Sequence, residues 1–292
     1  MTTAFVLSGG GSLGAVQVGM LGALAKKGVV PDLIVGSSVG AINGAWFAGC
    51  PEPACVDQLA DIWISLGRGD IFPLHPLGGL LGFLGRRNHL VAADGLSRLI
   101  RHHLPYERIE DARIPLHIVA TEVTTGREVL ISKGQALPAI LASAAIPGVF
   151  PPVRVGALEL MDGGVVSNTP IAHAVERGAT RVYVLPAGYP CAISKTPRSA
   201  LGMVLQALTL LVEHQLLHEV ARYEDVVELR VVPPVCPLAV APADFRHSAE
   251  LIERARVATT RWLASPQPDL NQRDLLRLHH HARIDPLRAD AA

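Results

Sequence analysis

The sequence predicts an α/β protein in which helices flank a mainly parallel β-sheet. Apolar residues make up 49% of the 292 residues and charged residues only 18%, and the mean hydropathy is +0.32. The apolar excess is aliphatic, because aromatic residues contribute only 4%. Continuous aliphatic runs are typical of parallel strands that are buried on both faces. These runs alternate with helical patterns along the chain, which indicates one α/β domain without internal repeats.

Each strand is predicted from a short aliphatic run, and each helix from a longer apolar pattern that ends at a glycine, a proline or a polar residue. The predicted strands are residues 4–7, 33–35, 115–121, 128–131, 153–155, 158–161, 181–185 and 226–232, of which 153–155 and 158–161 form a hairpin. The predicted helices are residues 15–27, 40–48, 53–66, 94–103, 137–145, 171–177, 197–223 and 247–264.

The charge and the apolar segments of the chain argue against a nucleic-acid partner, a secretory signal and a membrane-spanning helix. The formal net charge is zero, so we expect no nucleic-acid partner, which would require a concentrated basic surface. The apolar N-terminus lacks the basic segment of a secretory signal. The longest apolar stretch, around residues 201–212, is too short to cross a bilayer. A cytoplasmic location is therefore expected, and peripheral contact with a membrane is compatible with it.

The cysteines and other ligand-type residues show no metal-binding pattern. Cys50, Cys55, Cys191 and Cys236 form no C-x-x-C pair and no dense disulfide framework. We therefore expect free, mostly buried thiols in a reducing compartment. No cluster with metal-ligand spacing is evident, so we expect neither a metal nor another cofactor.

Residues 67–92 differ from the rest of the chain. They combine six glycines with a series of leucines, isoleucine and phenylalanines, and they show no clear period. Long loops of this kind often act as lids over functional sites. A mobile lid and an ordinary connection whose leucines pack on the core are two equally favoured interpretations.

Three consecutive glycines, Gly9–Gly11, follow the first predicted strand. A glycine turn at the start of a helix presents bare backbone N–H groups to negative charge. With Gly14, the turn also matches the G-x-G-x-x-G pattern of dinucleotide-binding folds. Those folds place an acidic residue at the end of the second strand. Here Asp32 precedes that strand and Gly36 follows it, so we interpret the turn as an oxyanion site rather than a nucleotide site.

A second motif, G-x-S-x-G, spans residues 36–40 between an aliphatic strand and an alanine-rich helix. This context places the hydroxyl of Ser38 on a tight turn. The N-terminus of the following helix carries a partial positive charge, which favours a serine alkoxide and its tetrahedral adduct. Ser38 is therefore the candidate nucleophile of a serine acyl hydrolase, and Ser37 is expected to point elsewhere.

A serine nucleophile needs a general base, which is usually a histidine held by a carboxylate. None of the twelve histidines lies in a motif-like setting, and His173 is the best placed of them. Asp162 ends a predicted strand and precedes two glycines. Taken alone it is a turn residue, because Asp-Gly is a common turn pair. Its pairing with Ser38 makes it the stronger candidate base.

Together these segments resemble the signatures of the patatin-like phospholipase family. The three motifs are residues 8–14, 36–40 and 162–164, and their order and spacing agree with that family. Residues 142–153 and 168–170 also resemble family segments. The resemblance covers about residues 3–230, and the combined motifs are far more specific than any one of them.

The resemblance implies a patatin-like three-layer sandwich and a Ser–Asp dyad without a catalytic histidine. Ser38 would be the nucleophile and Asp162 the base. The implied oxyanion hole is formed by the backbone of Gly9, Gly10, Gly11 and Ser12, and the other motif positions are Gly14, Gly36, Gly40, Gly163 and Gly164. Many members carry Arg or Lys at the position of Leu13, so no positive charge supports the hole in this chain.

The predicted organisation is an acyl hydrolase domain at residues 3–230, a helical extension packed on it at 231–265, and a loosely ordered tail at 266–292. The predicted function is cleavage of carboxylic esters of lipids, of the phospholipase A or esterase type, through an acyl-enzyme. The partner is then a lipid or other acyl-ester substrate, and no oligomeric state is predicted. An acyltransferase, a Ser–Asp–His α/β-hydrolase esterase and a non-catalytic lipid-binding protein are the alternatives.

Overall fold

The computed structural model describes residues 1–72, 88–188, 196, 200–236, 240–265 and 276. The strands are β1 (Thr3–Leu7), β2 (Leu33–Ser37), β3 (Leu116–Glu122), β4 (Glu128–Ile131), β5 (Val153–Val155), β6 (Leu158–Asp162), β7 (Arg181–Leu185) and β8 (Glu228–Val231). The helices are α1 (Ala15–Lys26), α2 (Val39–Gly49), α3 (Pro53–Ser65), α4 (Arg68–Ile71), α5 (Asp94–His103), α6 (Ala136–Ser143), α7 (Ile171–Glu176), α8 (Ala200–Tyr223) and α9 (Ser248–Ala264).

The eight strands form one mixed sheet, which confirms the predicted fold class. Its order is β5-β6-β3-β2-β1-β7-β8, with β4 also paired to β3. The five strands from β3 to β8 along this path are parallel, whereas β4 and β6 run antiparallel to β3. Helices α1, α2, α3, α5, α6 and α9 contribute to the hydrophobic core on one face. Helices α7 and α8 cover the other face, so the chain has three layers.

Two strands share one edge of β3 and meet end to end. A strand has two hydrogen-bonding edges, and β4 occupies one of them opposite Ile118–Thr121. β2 and β6 therefore share the other edge. On it, Ser37 lies opposite Val119 and Asp162 lies opposite the next residue, Ala120. The carboxyl ends of β2 and β6 are thus adjacent, which brings the residue after β2 close to Asp162.

The C-terminal part of the described chain packs on the same domain. Helix α9 lies against α1 so closely that a Cβ on Gly19 would be 2.9 Å from the Cβ of Ala255. The loop before α9 covers the first glycine turn, where the amide of Ser12 donates to the carbonyl oxygen of Pro242 at 2.7 Å. This loop is therefore part of the surroundings of the candidate site.

Several predicted segments lie partly outside the described residues. They are the predicted lid at 67–92 for residues 73–87, the predicted helix at 197–223 for residues 197–199, the predicted extension at 231–265 for residues 237–239, and the predicted tail at 266–292 apart from the buried Leu276. Among the helices that are described, none combines the length and the apolar character needed to cross a membrane.

The expectation of free cysteines is wrong for one pair. Cys50 and Cys55 form a disulfide at the connection between α2 and α3. The turn between these helices brings their Cα atoms to 5.9 Å, which is a normal separation for a disulfide. Their spacing along the chain contains no such information. The argument from free thiols to a reducing compartment therefore fails for these two residues, and Cys191 lies outside the described residues.

The close approach of α2 to β1 allows only glycine at Gly40. A Cβ at this position would collide with the carbonyl groups of Leu7 and Ser8. We therefore expect Gly40→Ala to lower the free energy of unfolding by about 3 kcal/mol, the upper end of the range for overpacked positions. Urea denaturation measures this loss. Gly69→Ala is the matched control, because nothing lies within 4 Å of its added Cβ. A similar loss in both variants would contradict the steric explanation.

Candidate active site

Ser38 lies between β2 and α2 in a strained backbone conformation. Its φ is 54° and its ψ is −124°, and it is the only non-glycine residue with positive φ in the described part of the chain. Such a conformation costs about 1–3 kcal/mol and is concentrated at functional sites. The amide of Ser38 donates to Ser143 Oγ at 2.8 Å, and Ser143 Oγ donates to the carbonyl oxygen of Val119 at 2.6 Å. These bonds hold the turn in place.

The glycines of the G-x-S-x-G motif permit this sharp turn. A Cβ on Gly36 would lie 2.6 Å from the carbonyl oxygen of Gly40, so a larger residue would force the strand and helix apart. The motif therefore corresponds to a turn that only small residues can form, with Ser38 at its tip.

The hydroxyl of Ser38 donates a hydrogen bond to Asp162 Oδ2 at 2.7 Å. The other carboxylate oxygen accepts from the amide of Gly164, also at 2.7 Å. Ser38 is only 7% exposed and Asp162 only 6% exposed. The main chain of Asp162 is anchored by its bonds to Ala145 and Thr121. The structure thus brings together the two residues that the motifs indicated.

The surroundings of Asp162 make its carboxylate a stronger base than usual. Burial raises the pKa of Asp162 to about 6, although the hydrogen bonds from Ser38 and Gly164 act in the opposite direction. A general base works best when its pKa lies close to the operating pH. A pKa of about 6 keeps most of the carboxylate ionised at neutral pH and gives it useful basicity.

The first glycine turn faces the serine. A Cβ on Gly9 would be 3.0 Å from the Cβ of Ser38. The amide of Gly9 donates to the carbonyl oxygen of Asn168 at 3.1 Å, and that of Ser12 donates to Pro242. The amides of Gly10 and Gly11 donate no backbone hydrogen bond to any of the described residues. Of the four predicted oxyanion residues, these two therefore retain available donors.

The described histidines do not contact the candidate dyad. None of them forms a hydrogen bond with Ser38 or Asp162. His173, the best-placed histidine in the sequence, instead pairs with Glu128 at 2.8 Å and Glu176 at 3.3 Å. The hydrogen bond to Glu128 raises the pKa of His173. His173 thus belongs to an ion-pair group that joins α7 to β4 and forms no hydrogen bond with the serine site.

An apolar cleft, partly open to solvent, includes Ser38 in its lining. Its walls come from α2, α3 and α5. Its lining also includes two pairs of stacked rings, with centroids 6.0 Å apart for Trp63 and Phe245 and 5.4 Å apart for Phe72 and Phe150. Such a surface accommodates an apolar group next to the hydroxyl.

One group of three potential metal ligands is found in the described part of the chain: Cys50, Glu52 and Cys55. The two sulfur atoms are joined in the disulfide, so they offer no thiolate to a metal. This group lies between the end of α2 and the first turn of α3.

Sequence reasoning did not identify the residues that support the dyad. Ser143 is a buried polar residue near the end of an apolar helix, and that contrast could have indicated it. Asn168 contacts Gly9 through both its carbonyl group and its side chain, and it lies in a segment already noted for its resemblance. Phe245 carried no such signal, because only the long-range packing of its loop brings it to the cleft.

A strained serine, bonded to a buried carboxylate beside an apolar cleft, is the arrangement expected of a serine hydrolase that acts on apolar esters. A family model described as Patatin-like phospholipase matches residues 5–175, which is more than half of the chain. The chain belongs to the patatin-like phospholipase family.

Curated relatives agree with this assignment. The chain is 30% identical over 188 residues to patatin-like phospholipase domain-containing protein 7 of Rattus norvegicus, a match that covers 63% of this chain and 13% of the relative. It is 28% identical over 191 residues to lysophospholipase nte1 of Aspergillus terreus, covering 63% and 12%. The chain therefore spans a small fraction of these much longer proteins.

The solved structure of VipD from Legionella pneumophila matches 90% of this chain and 66% of its own chain. The identity is 15% and the TM-score is 0.48, values too low to support an inference about activity.

Proposed function

We propose that the protein hydrolyses carboxylic esters of lipids through an acyl-enzyme on Ser38, with Asp162 as the general base. The observation that carries this proposal is the 2.7 Å hydrogen bond from Ser38 Oγ to Asp162 Oδ2. The membership of the chain in the patatin-like phospholipase family supports an acyl ester as the substrate.

In the first half-reaction, Ser38 Oγ attacks the ester carbonyl carbon while its proton moves to Asp162 Oδ2. The C–O bond to the leaving alcohol then breaks, and the alkoxide takes the proton from Asp162. The acyl group remains bound to Ser38. Oδ1 keeps its hydrogen bond from Gly164, so the carboxylate stays oriented while Oδ2 gains and loses a proton.

The negative charge on the carbonyl oxygen requires donors that are already in place. The amides of Gly10 and Gly11 are the proposed donors, since the other two predicted donors are engaged within the protein. A donor of this kind contributes about 3–4 kcal/mol of transition-state stabilisation. The partial positive charge at the N-terminus of α2 acts in the same direction.

In the second half-reaction, a water molecule takes the place of the alcohol. Asp162 accepts a proton from this water as it attacks the acyl carbonyl, and then returns the proton to Ser38 Oγ as the acyl–enzyme bond breaks. The same carboxylate thus acts as base and then as acid in each half-reaction. If an alcohol replaces the water, the same steps transfer the acyl group.

The raised pKa of Asp162 predicts a simple pH profile. Only the ionised carboxylate can accept the serine proton, so kcat/KM should fall about tenfold per pH unit below about 6 and level off above it. Initial rates on a short-chain ester between pH 4 and 9 measure this. His173→Ala serves as the control and should keep the same inflection. A profile that is flat across pH 6, or an inflection lost with His173, would contradict the assignment.

Labelling with a fluorophosphonate tests the proposal directly. We expect the probe to modify Ser38, as shown by peptide mapping, and a panel of acyl esters to be hydrolysed by the same preparation. Product analysis with competing alcohols and thiols distinguishes hydrolysis from acyl transfer. If the folded protein shows neither labelling of Ser38 nor hydrolysis of short or long esters, the proposal is wrong and a non-catalytic lipid-binding role takes its place.

A further inference from the structure

One side of α2 leads away from Ser38 as an apolar stripe. Val39, Ile42 and Trp46 follow one another at intervals of three and four residues, and all three line the cleft. Ser38 directly precedes the helix, and Trp46 comes eight residues later. At 1.5 Å per residue, Trp46 lies about 12 Å from Ser38 along the helix axis. The cleft therefore extends from Ser38 along α2 for about 12 Å as far as Trp46.

A second helix forms the facing wall with the same spacing. Leu96, Ile100 and His103 of α5 also line the cleft at intervals of four and three residues. The ring of His103 lies 5.9 Å from that of Trp46. The two stripes thus end at the same place, next to the indole of Trp46.

Beyond Trp46, the end of α2 packs against the chain that follows α5. A Cβ on Gly49 would lie 2.7 Å from Pro105 Cγ and 2.9 Å from the ring of Tyr106, so α2 and the chain that follows α5 are in contact there. The hydroxyl of Tyr106 donates to the carbonyl oxygen of Ala45 at 2.8 Å. The indole N–H of Trp46 donates to the carbonyl oxygen of Cys55 at 3.1 Å, which fixes the ring across the end.

The lining identifies the chemical nature of the occupant. Among the described residues that line the cleft, none is an Asp, Glu, Lys or Arg, and most are aliphatic or aromatic. Burial and the nearby His102 lower the pKa of His103, which favours its uncharged form. These described residues offer no partner to a charged head group, whereas they offer apolar contacts to an aliphatic chain attached at Ser38.

We propose that the cleft is an acyl-chain site about ten carbons long, and that Trp46 sets this length. A fully extended chain advances about 1.2 Å per bond, because three backbone bonds span about 3.3–3.6 Å. A distance of about 12 Å therefore holds about ten bonds. This inference rests on the proposed function, because it takes Ser38 as the residue that carries the acyl group.

A series of p-nitrophenyl esters of increasing chain length tests the proposal. In the wild type, kcat/KM should increase by up to about fourfold per methylene until the acyl chain reaches about ten carbons, and should then stop rising. Ile42 lies about 6 Å from Ser38 along α2, so Ile42→Phe should shorten the preferred chain to about five or six carbons. Trp46→Ala should extend it.

Ile64→Ala is the matched control. Ile64 lies on α3 beside the lining residues Ile62 and Trp63, but its side chain is 51% exposed and does not line the cleft. The Ile64→Ala variant should prefer the same acyl-chain length as the wild type. If Ile42→Phe and Trp46→Ala keep the wild-type preferred length, as Ile64→Ala should, Trp46 does not set the chain length and the proposal is wrong.

A binding experiment separates this inference from the proposed reaction. In a Ser38→Ala background, Trp63→Phe and Trp262→Phe leave Trp46 as the sole tryptophan of the three in the sequence. A fatty acid brominated at about its tenth carbon should quench Trp46 fluorescence more strongly than one brominated beside its carboxylate. Equal or absent quenching would overturn the chain site even if wild-type Ser38 is labelled and active. Position-dependent quenching without any wild-type activity would support the site and refute the proposed reaction.

Discussion

Replacement of Ser38 by alanine is expected to reduce kcat for ester hydrolysis by about 10⁴-fold or more. The variant loses the only oxygen that contacts Asp162 Oδ2 in the described residues and so cannot form an acyl-enzyme. The backbone amides of Gly10 and Gly11 and the apolar cleft remain, so substrate binding should persist. Steady-state rates on a medium-chain ester, together with intact-protein mass spectrometry after fluorophosphonate treatment, measure both consequences.

Ser37→Ala is the matched control for this experiment. Ser37 is the neighbouring serine, is fully buried, and its hydroxyl has no hydrogen-bond partner among the described residues. The same chemical change one residue earlier should therefore leave kcat within about twofold of wild type, because it breaks no hydrogen bond among the described residues. Comparable losses in the two variants would indicate damage to the turn rather than loss of the nucleophile.

Replacement of Asp162 by asparagine is expected to inactivate the protein and to stabilise it. The amide cannot accept the serine proton, so kcat should fall by about 10³-fold or more. Asparagine has nearly the same shape and can still accept from the Gly164 amide and donate to Ser38 Oγ. The buried negative charge is removed, and with it the free-energy cost that raises the pKa of Asp162.

The stability gain should depend on pH in a defined direction. The pKa of Asp162 is raised from 3.8 to about 6, so between these values the folded state binds more protons than the unfolded state. Stability therefore decreases as pH rises through this window. Above about pH 6, Asp162→Asn should raise the free energy of unfolding by up to about 3 kcal/mol, and below about pH 4 the gain should vanish.

Urea denaturation of both proteins at pH 8 and at pH 4 measures this difference. Asp162→Ala is the control, because it removes the charge but also leaves the Gly164 amide without its acceptor and creates a cavity. Its gain at pH 8 should be smaller than that of asparagine. A loss of stability in Asp162→Asn at pH 8 would contradict the burial cost assigned to this carboxylate.

The sequence contained enough local information to indicate Ser38 and Asp162 as a candidate dyad and to predict most of the sheet. The turn at Ser38 has a closely packed glycine two positions before it and another two positions after it, and two further glycines follow Asp162. Both turns can therefore be recognised from residue types alone. Strands that are buried on both faces can be recognised in the same way, from their aliphatic runs. The predicted strands correspond to the observed eight, with small differences at their ends.

Features that depend on distant parts of the chain could not be predicted in this way. The disulfide between Cys50 and Cys55 depends on the angle between α2 and α3. The contribution of Phe245 to the cleft depends on how the loop before α9 returns to the first glycine turn. The end-to-end arrangement of β2 and β6 depends on β4 occupying the other edge of β3. None of these arrangements is encoded by a short pattern of residues.

This arrangement on β3 also has a kinetic consequence. Ser38 and Asp162 are separated by 124 positions in the chain, and both obtain their place by pairing with the same strand. Neither local turn can generate a reactive site before both strands have docked, and such long-range pairings form late because loop closure costs entropy. Recovery of esterase activity during refolding would therefore report the completion of the whole sheet, whereas circular dichroism would respond earlier to the helices. The rate at which esterase activity returns would thus measure how fast the central strands assemble.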